Sequence, residues 1–331
     1  MEWNLILPAA LLVNASLVHA PVRRPVHTFS IVARDSATGE MGVAVQSHYF
    51  SVGPVVPWAE AGVGAVATQS LVLVDYGPNG LALMRAGKSA REALDELVKA
   101  DSARDGRQVA MVDAHGTVAS WTGPKCIPDA GYHVGNQFSV QANLMANQKV
   151  WPAMAEAYET TKGDLAERML AALEAGQSVG GDIRGRQSAA ILIVKAKASD
   201  KPWSDRVMDL RVEDHPEPIR ELRRLVRLRR AYDFEDAGDN AISAKNPDEA
   251  LRMYTKAMEM APDVVELQFW AAVSVYSNGD AKQGLALFHK VFAREARWAA
   301  LVPRLAKVGL FPDDTKKIAE VQEQLQKGAK W

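Results

Sequence analysis

Cysteine, excess charge and long apolar segments are all scarce in this 331-residue chain. Its one cysteine, Cys126, cannot form an internal disulfide or a cysteine zinc cluster, which excludes both kinds of cross-link within the chain. A formal net charge of −1 argues against a nucleic-acid-binding protein, because such proteins usually carry a clear basic excess. The histidines show no His-x-x-x-His or carboxylate spacing, so we expect no metal site and no cofactor.

The beginning of the chain differs from the rest. The apolar run at 5–13 is too short to span a bilayer and no other run approaches that length, so we expect no membrane span. Small-residue sites ending at Ala15 and Ala20 are typical of a secretory signal peptide at 1–20. The absence of lysine or arginine before the run, and Pro21 after the second site, weigh against it. With a working leader the protein is exported, periplasmic or extracellular; otherwise it is cytoplasmic.

The next two hundred or so residues alternate groups of strands with pairs of helices. Apolar and β-branched runs predict strands at 29–33, 41–46, 52–58, 63–68, 108–113, 117–121, 138–143, 188–195 and 207–212. Helical patterns occur at 77–86, 90–100, 151–161 and 164–175, with Ser89 and Glu92 as a capping box and Gly176 as a C-cap. This order favours an α+β fold with two sheets between helix layers over a doubly wound parallel sheet.

An arginine-rich segment at 219–230 follows this region. Its six arginines predict a solvated, salt-bridged linker helix. The alternative is a patch for nucleic acid or another anionic surface.

The remainder, 231–331, shows a 34-residue period. Ala250, Tyr254 and Ala257 in one unit fall opposite Gly284, Phe288 and Val291 in the next. This spacing is typical of tetratricopeptide repeats, which predicts an all-α repeat domain and a peptide or protein partner for it. An unrelated pair of helical hairpins is the alternative.

Seven motifs before the tail occur in an order that carries a family resemblance. They are HTFSIVARD at 27–35, GVAV at 42–45, GVGAVATQ at 62–69, ASWTG at 119–123, GNQFSVQ at 135–141, GGDIRGRQSAA at 180–190 and DLRVEDHP at 209–216. Through them, residues 27–218 resemble the bacterial domain of unknown function 1028 family. The resemblance implies the four-layer αββα sandwich of N-terminal nucleophile (Ntn) hydrolases, but it carries no established activity. The repeat-like tail departs from the family, whose members often have another C-terminal appendage.

An Ntn-type reaction would use Thr28 as nucleophile and its own free α-amine as general base, cleaving an amide through an acyl-enzyme. The residues before Thr28 must then be removed, by trimming or by autoproteolysis at the His27–Thr28 bond. Ser30 lies on the same strand face and is a candidate supporting hydroxyl. Structural hydrogen bonding by both hydroxyls is the alternative.

The glycine-rich segment at 180–188 is the second candidate site. Three glycines allow the backbone to approach a ligand closely. Asp182 and Arg184 are predicted to form a catalytic, orienting pair. The predicted substrate-binding residues are Gln69, Ser70, Gln141, Asn143, Gly181, Arg186, Gln187 and Ser188. A glycine turn fixed by an Asp–Arg pair, with amides that only bond to strand ends, is the alternative.

Together these features predict an Ntn-type amidohydrolase that acts on a small-molecule amide, a modified amino acid or a short peptide. The alternative is a non-catalytic protein that binds an anionic small molecule at 180–188 and uses its tail as the interface. The sequence leaves the substrate open, and it also leaves open whether the protein is a homo-oligomer.

Overall fold

The computed structural model describes residues 26–328, and side chains as far as Leu325. The predicted leader at 1–20 and its cleavage sites lie outside the described residues. In chain order the strands are β1 (Thr28–Arg34), β2 (Met41–Ser47), β3 (Pro57–Glu60), β4 (Gly64–Ser70), β5 (Arg107–Asp113), β6 (Val118–Thr122), β7 (Gly131–Gly135), β8 (Phe138–Ala142), β9 (Ser188–Val194) and β10 (Arg206–Val212). The helices are α1 (Tyr76–Arg85), α2 (Ala90–Ala100), α3 (Val150–Thr160), α4 (Leu165–Ser178), α5 (Pro218–Ser243), α6 (Pro247–Met260), α7 (Val265–Ser277), α8 (Ala281–Arg294), α9 (Val302–Ala306) and α10 (Thr315–Gly328).

The strands form two antiparallel sheets, so the fold is mixed α and β as expected. One sheet has six strands in the order β10-β9-β2-β1-β8-β7, and the other has four in the order β3-β4-β5-β6. Each of the central strands β1, β2, β4 and β9 is buried along nearly its whole length. Burial on both faces explains why these strands read as nearly continuous apolar runs.

The two sheets pack face to face, with helices covering their outer faces. The alternation of β1 puts Phe29 and Ile31 in the core beneath α3 and α4, and Val32 in the core between the sheets. On the other side, α1 and α2 cover the four-stranded sheet, where Leu94 packs near Met111. The predicted capping box at Ser89 and Glu92 is present at the start of α2.

Two local predictions are wrong, and one strand is missing from the predicted set. The predicted strand at 52–58 is a turn up to residue 56, because the N–H groups of Val55 and Val56 both bond to the carbonyl of Val52. Strand β7 was not predicted, since its exposed, glycine-bounded sequence lacks a buried pattern. Gly176 does not end α4: the helix continues to Ser178, and Gly176 lies against Met154, where a Cβ would be 2.8 Å from that side chain.

Helix α5 joins the sandwich to the C-terminal helices. Its first half packs Leu222 and Val226 on the six-stranded sheet, and its second half packs against α6. Arg223 pairs with Glu167 and Glu174 of α4, in agreement with the salt-bridged interpretation of the arginine-rich segment. In the described part of the chain, no helix combines the length and apolar character needed to cross a membrane.

Candidate functional site

The first residues of β1 lie at the polar end of the layer between the two sheets. Thr28 and Ser30 point into this layer because strand side chains alternate, and both are fully buried. Farther along the same face, Val32 contributes to the apolar core between the sheets. Two buried hydroxyls at one end of an otherwise apolar layer require partners, because an unpaired buried polar group is costly.

Side-chain amides from both sheets supply those partners. Gln141 donates to the Ser30 hydroxyl at 2.6 Å, and that hydroxyl donates to Gln69 Oε1 at 2.7 Å. Gln69 Nε2 donates to Gln108 Oε1 at 2.7 Å, which also accepts from Asn143 Nδ2 at 2.9 Å. The chain of amides therefore ties β1 and β8 of one sheet to β4 and β5 of the other.

The carbonyl oxygen of His27, directly before Thr28, accepts two strong donors. Ser47 Oγ, at the end of β2, donates to it at 2.5 Å. Arg184 Nη2 donates to it at 2.8 Å. A cationic donor and a hydroxyl converge on one buried carbonyl, which polarises the His27–Thr28 peptide bond.

Asp182 holds the guanidinium of Arg184 in place. The two side chains form a bidentate pair, with Nε 3.1 Å from Oδ1 and Nη2 2.7 Å from Oδ2. The Asp182 carboxylate also accepts the backbone N–H groups of His48, at 3.1 Å, and Arg184, at 2.9 Å. The predicted pair therefore acts on the residue before Thr28 and anchors the glycine-rich segment to β2.

The side chains of His27 and Thr28 have separate partners. Burial lowers the pKa of His27 below its ordinary value of 6.5, and Arg184 adds to the effect, although Nδ1 lies 2.8 Å from Asn143 Oδ1. The imidazole is therefore neutral at neutral pH.

The Thr28 hydroxyl donates to the carbonyl of Val26 at 3.0 Å. Val26 and Ser70 exchange two backbone hydrogen bonds of 2.8 Å, which close the chain over Thr28.

The structure separates four of the predicted binding residues from this cluster. Arg186 pairs with Glu217, and Gln187 Nε2 donates to Asp214 at 3.2 Å. The hydroxyl of Ser188 donates to the carbonyl of Tyr49. Gly181 has φ +61° and accepts the N–H of Ala146 through its carbonyl. These groups fold the 180–188 segment, while Thr28, Ser30, Gln69, Gln141, Asn143, Asp182 and Arg184 come together around the start of β1.

Sequence reasoning missed Ser47 and Gln108. Ser47 is the last residue of an apolar strand, and nothing in its neighbours distinguishes it from a strand-end hydroxyl. Gln108 is more visible, because a glutamine stands at the start of a strand that is otherwise apolar. No group of three or more His, Cys, Asp or Glu side chains arranged for a metal ion occurs within residues 26–328.

Comparisons with known proteins cover the sandwich. Residues 28–222 match the model of DUF1028, a family of unknown function. The crystal structure of protein SPO2555 from Silicibacter pomeroyi, also assigned to DUF1028, is similar, with 28% sequence identity and a TM-score of 0.54. That similarity covers 60% of this chain and 88% of the other. None of the curated proteins matches.

Proposed function

Because this chain belongs to DUF1028, a family whose function is unknown, we propose its function from the geometry before β1. The proposal is an Ntn-type amidohydrolase in which Thr28 is the nucleophile and, once released, its own α-amine is the general base. The observation that carries the proposal is the carbonyl of His27, which accepts both Ser47 Oγ and Arg184 Nη2.

The first step is cleavage of the His27–Thr28 bond by the chain itself. Thr28 Oγ1 attacks the His27 carbonyl carbon, the C–N bond breaks, and the hydroxyl proton passes to the departing nitrogen. The resulting ester is hydrolysed by one water, which gives a His27 carboxylate and a free Thr28 amine. Ser47 and Arg184 stabilise the negative charge that develops on the carbonyl oxygen in this step.

The second step is turnover of an external amide. When the segment ending at His27 leaves, the donors of Ser47 and Arg184 lose their acceptor and become free to bind a substrate carbonyl. The released α-amine takes the proton of Thr28 Oγ1 while this oxygen attacks the substrate carbonyl carbon. The substrate C–N bond then breaks and the leaving amine receives that proton, which leaves an acyl-enzyme ester. One water hydrolyses this ester to a carboxylic acid and restores the Thr28 hydroxyl. The substrate class that fits is a small-molecule amide or a short peptide.

The finer fold assignments form part of this proposal. Two facing sheets with helices on both outer faces support the αββα sandwich of Ntn hydrolases. The tail supports a tetratricopeptide-like repeat, since the predicted residues of α6 and α8 are buried at equivalent places. We assign that tail to a peptide or protein partner. Export through the leader stays a prediction.

The test follows the full-length protein while its His27–Thr28 bond is cleaved, and intact mass gives the fraction of chains that begin at Thr28. We expect hydrolysis of a panel of acyl 4-nitroanilides to rise with that fraction. The matched Thr28→Ala chain should stay uncleaved and inactive, and Thr28→Ser should retain activity. Hydrolysis that does not depend on the cleaved fraction, or hydrolysis by the Thr28→Ala chain, would show that Thr28 is not the nucleophile.

A second function is favoured by one observation. Thr28 is fully buried in the uncut chain, and the Val26–Ser70 hydrogen bonds seal it. A chain that keeps this seal would be a binding protein with an Ntn-like fold. In that case the chain hydrolyses none of the anilides, and Thr28→Ala changes neither ligand binding nor stability beyond the loss of one hydrogen bond.

A further inference from the structure

A pocket of about 600 Å³ opens beside the amide network, where the neighbouring edges of the two sheets meet. Thr122, the last residue of β6, and Gly131, the first of β7, both line it. Its volume lies in the usual range for small-molecule sites. None of the residues assigned to the Thr28 site lines it, so its chemistry is separate from the nucleophile.

One side chain separates the pocket lining from Thr28. Gln108 Nε2 donates to Thr122 Oγ1 at 2.8 Å and to the carbonyl of Gly131 at 3.3 Å. Its Oε1 accepts from Asn143, whose backbone N–H donates to the carbonyl of Thr28 at 3.1 Å. A ligand in the pocket therefore lies next to the groups that hold the first residue of β1.

Two aromatic side chains contribute to the lining of the pocket. They are Tyr132, which is 45% exposed, and Trp151 of α3. Trp151 lies against Gly131, where a Cβ would be 2.7 Å from the indole ring. Glycine at this place lets the indole form a wall of the pocket.

Asp129 is the one charged residue among the lining residues. Within residues 26–328 its carboxylate has no hydrogen bond or ion pair, while the nearby Lys125 pairs instead with Asp105 at 3.3 Å. The backbone of Asp129 is fixed, with φ +56° and its carbonyl accepting the N–H of Met145 at 3.2 Å. A half-buried carboxylate in a pocket that is also lined by two aromatic side chains suits a ligand that carries a positive charge on an apolar body.

We propose that this pocket binds a ligand with an ammonium group on a flat or extended apolar body, the ammonium at Asp129 and the body against the Tyr132 and Trp151 side chains. This part of the inference rests on the proposed function: in the amidohydrolase, the pocket selects amides whose acyl part carries such an amine. Carboxylate and phosphate groups are excluded by the charge of Asp129.

The binding test uses the full-length protein, whatever its N-terminus, and three probes that share a 4-ethylphenol body and carry a positive, no or a negative charge. Titration calorimetry compares tyramine, 4-ethylphenol and 3-(4-hydroxyphenyl)propionate. We expect tyramine to bind about tenfold more tightly than the neutral phenol, and the anion to bind least. Equal affinities for tyramine and 4-ethylphenol, or no binding of tyramine, would overturn the proposal.

Two variants locate the binding. Asp129→Asn suits the positive φ and should reduce the affinity for tyramine to that for 4-ethylphenol. Gly131→Ala displaces Trp151 and should weaken both ligands together. Asp200→Asn, an exposed carboxylate outside the pocket, is the control for net charge and should leave the affinity unchanged. Undiminished tyramine binding by Asp129→Asn would contradict the assignment.

A second arm separates this inference from the proposed function. The chain cut before Thr28 is offered the 4-nitroanilides of 6-aminohexanoic acid and of hexanoic acid. A preference for the amine-bearing anilide that disappears in Asp129→Asn supports both proposals. Hydrolysis without preference would contradict the pocket assignment alone. Tyramine binding without any hydrolysis would contradict the proposed function alone.

Discussion

The polar end of the sandwich and the helical tail both bury polar groups, but they treat them differently. Around Thr28, the Ser30 hydroxyl and the side-chain amides of Gln69 and Gln108 are each paired with a group on the facing sheet. In the tail, Glu235 of α5 is 6% exposed, and its Oε1 has no hydrogen-bond partner in the described chain. In the sandwich, hydrogen bonds therefore fix the buried polar groups around Thr28. The tail instead contains a buried acid whose ionisation is unfavourable.

This difference gives the two regions opposite responses to pH. Burial raises the pKa of Glu235 to about 7, and the negative charges of Asp239 and Glu266 add to the rise. Burial lowers the pKa of His27. A buried acid destabilises its region when the pH rises, whereas a buried base does so when the pH falls. Raising the pH should therefore destabilise the tail, and lowering it should destabilise the sandwich.

The largest effect is expected at the polarised carbonyl. Arg184→Met removes the cationic donor to the His27 carbonyl and should slow cleavage of the His27–Thr28 bond by about 10²–10³-fold. Intact mass spectrometry of the purified chain over time measures the rate. Arg206→Met, which removes an exposed arginine paired with Asp209, is the matched control and should cleave at the wild-type rate.

Glu235→Gln comes next and should stabilise the tail. As the pH rises from 4.5 to about 7, the unfolded chain releases its proton first, so the wild-type tail loses stability over this range. At about pH 8 the variant should be more stable by about 3 kcal/mol, and near pH 4 the two should be nearly equal. Hydrogen exchange of α5 and α6 reports the tail separately from the sandwich. Equal protection of the wild type and the variant at both pH values would show that ionisation of Glu235 does not destabilise the tail.

Gln69→Leu should destabilise the sandwich, whereas Glu235→Gln stabilises the tail. It removes the acceptor of the Ser30 hydroxyl and a donor to Gln108, and should lower the free energy of unfolding by about 2–3 kcal/mol. Urea unfolding, monitored through hydrogen exchange of the β1 and β4 amides, measures this loss, and the α6 amides are the internal control. An unchanged or higher stability would mean that the amide network does not hold the sheets in register.

The smallest effect is the titration of His27. The stability that depends on its neutral form is complete above pH 6.5 and is lost as the pH falls from there through the lowered pKa of the folded state. Urea unfolding of the Thr28→Ala chain, in which the His27–Thr28 bond stays intact, should show this loss between about pH 7.5 and about pH 5.5. The same chain with His27→Asn added should show less of it. The same slope in both proteins would assign the loss to other groups.

The sequence predicts the central strands and their helices well, because burial on one or both faces leaves a readable pattern. It also offers Thr28, Asp182 and Arg184 as candidate site residues, and the structure places all three around the start of β1. It does not reveal that Arg184 contacts the carbonyl of His27, since the two residues are 157 positions apart and only the fold brings them together. The Asp129 pocket is hidden for a similar reason: it combines a strand end, an exposed edge strand and a helix, and none of the three has a distinctive motif.

The most direct test of the central claim is to determine the N-terminus of the purified full-length protein over time, by intact mass and terminal sequencing. The account predicts that a chain beginning at Thr28 accumulates from the wild type, and that the Thr28→Ala chain keeps the His27–Thr28 bond. A wild-type chain in which that bond stays intact would contradict self-cleavage. The polarised carbonyl would then be a structural feature of a binding protein.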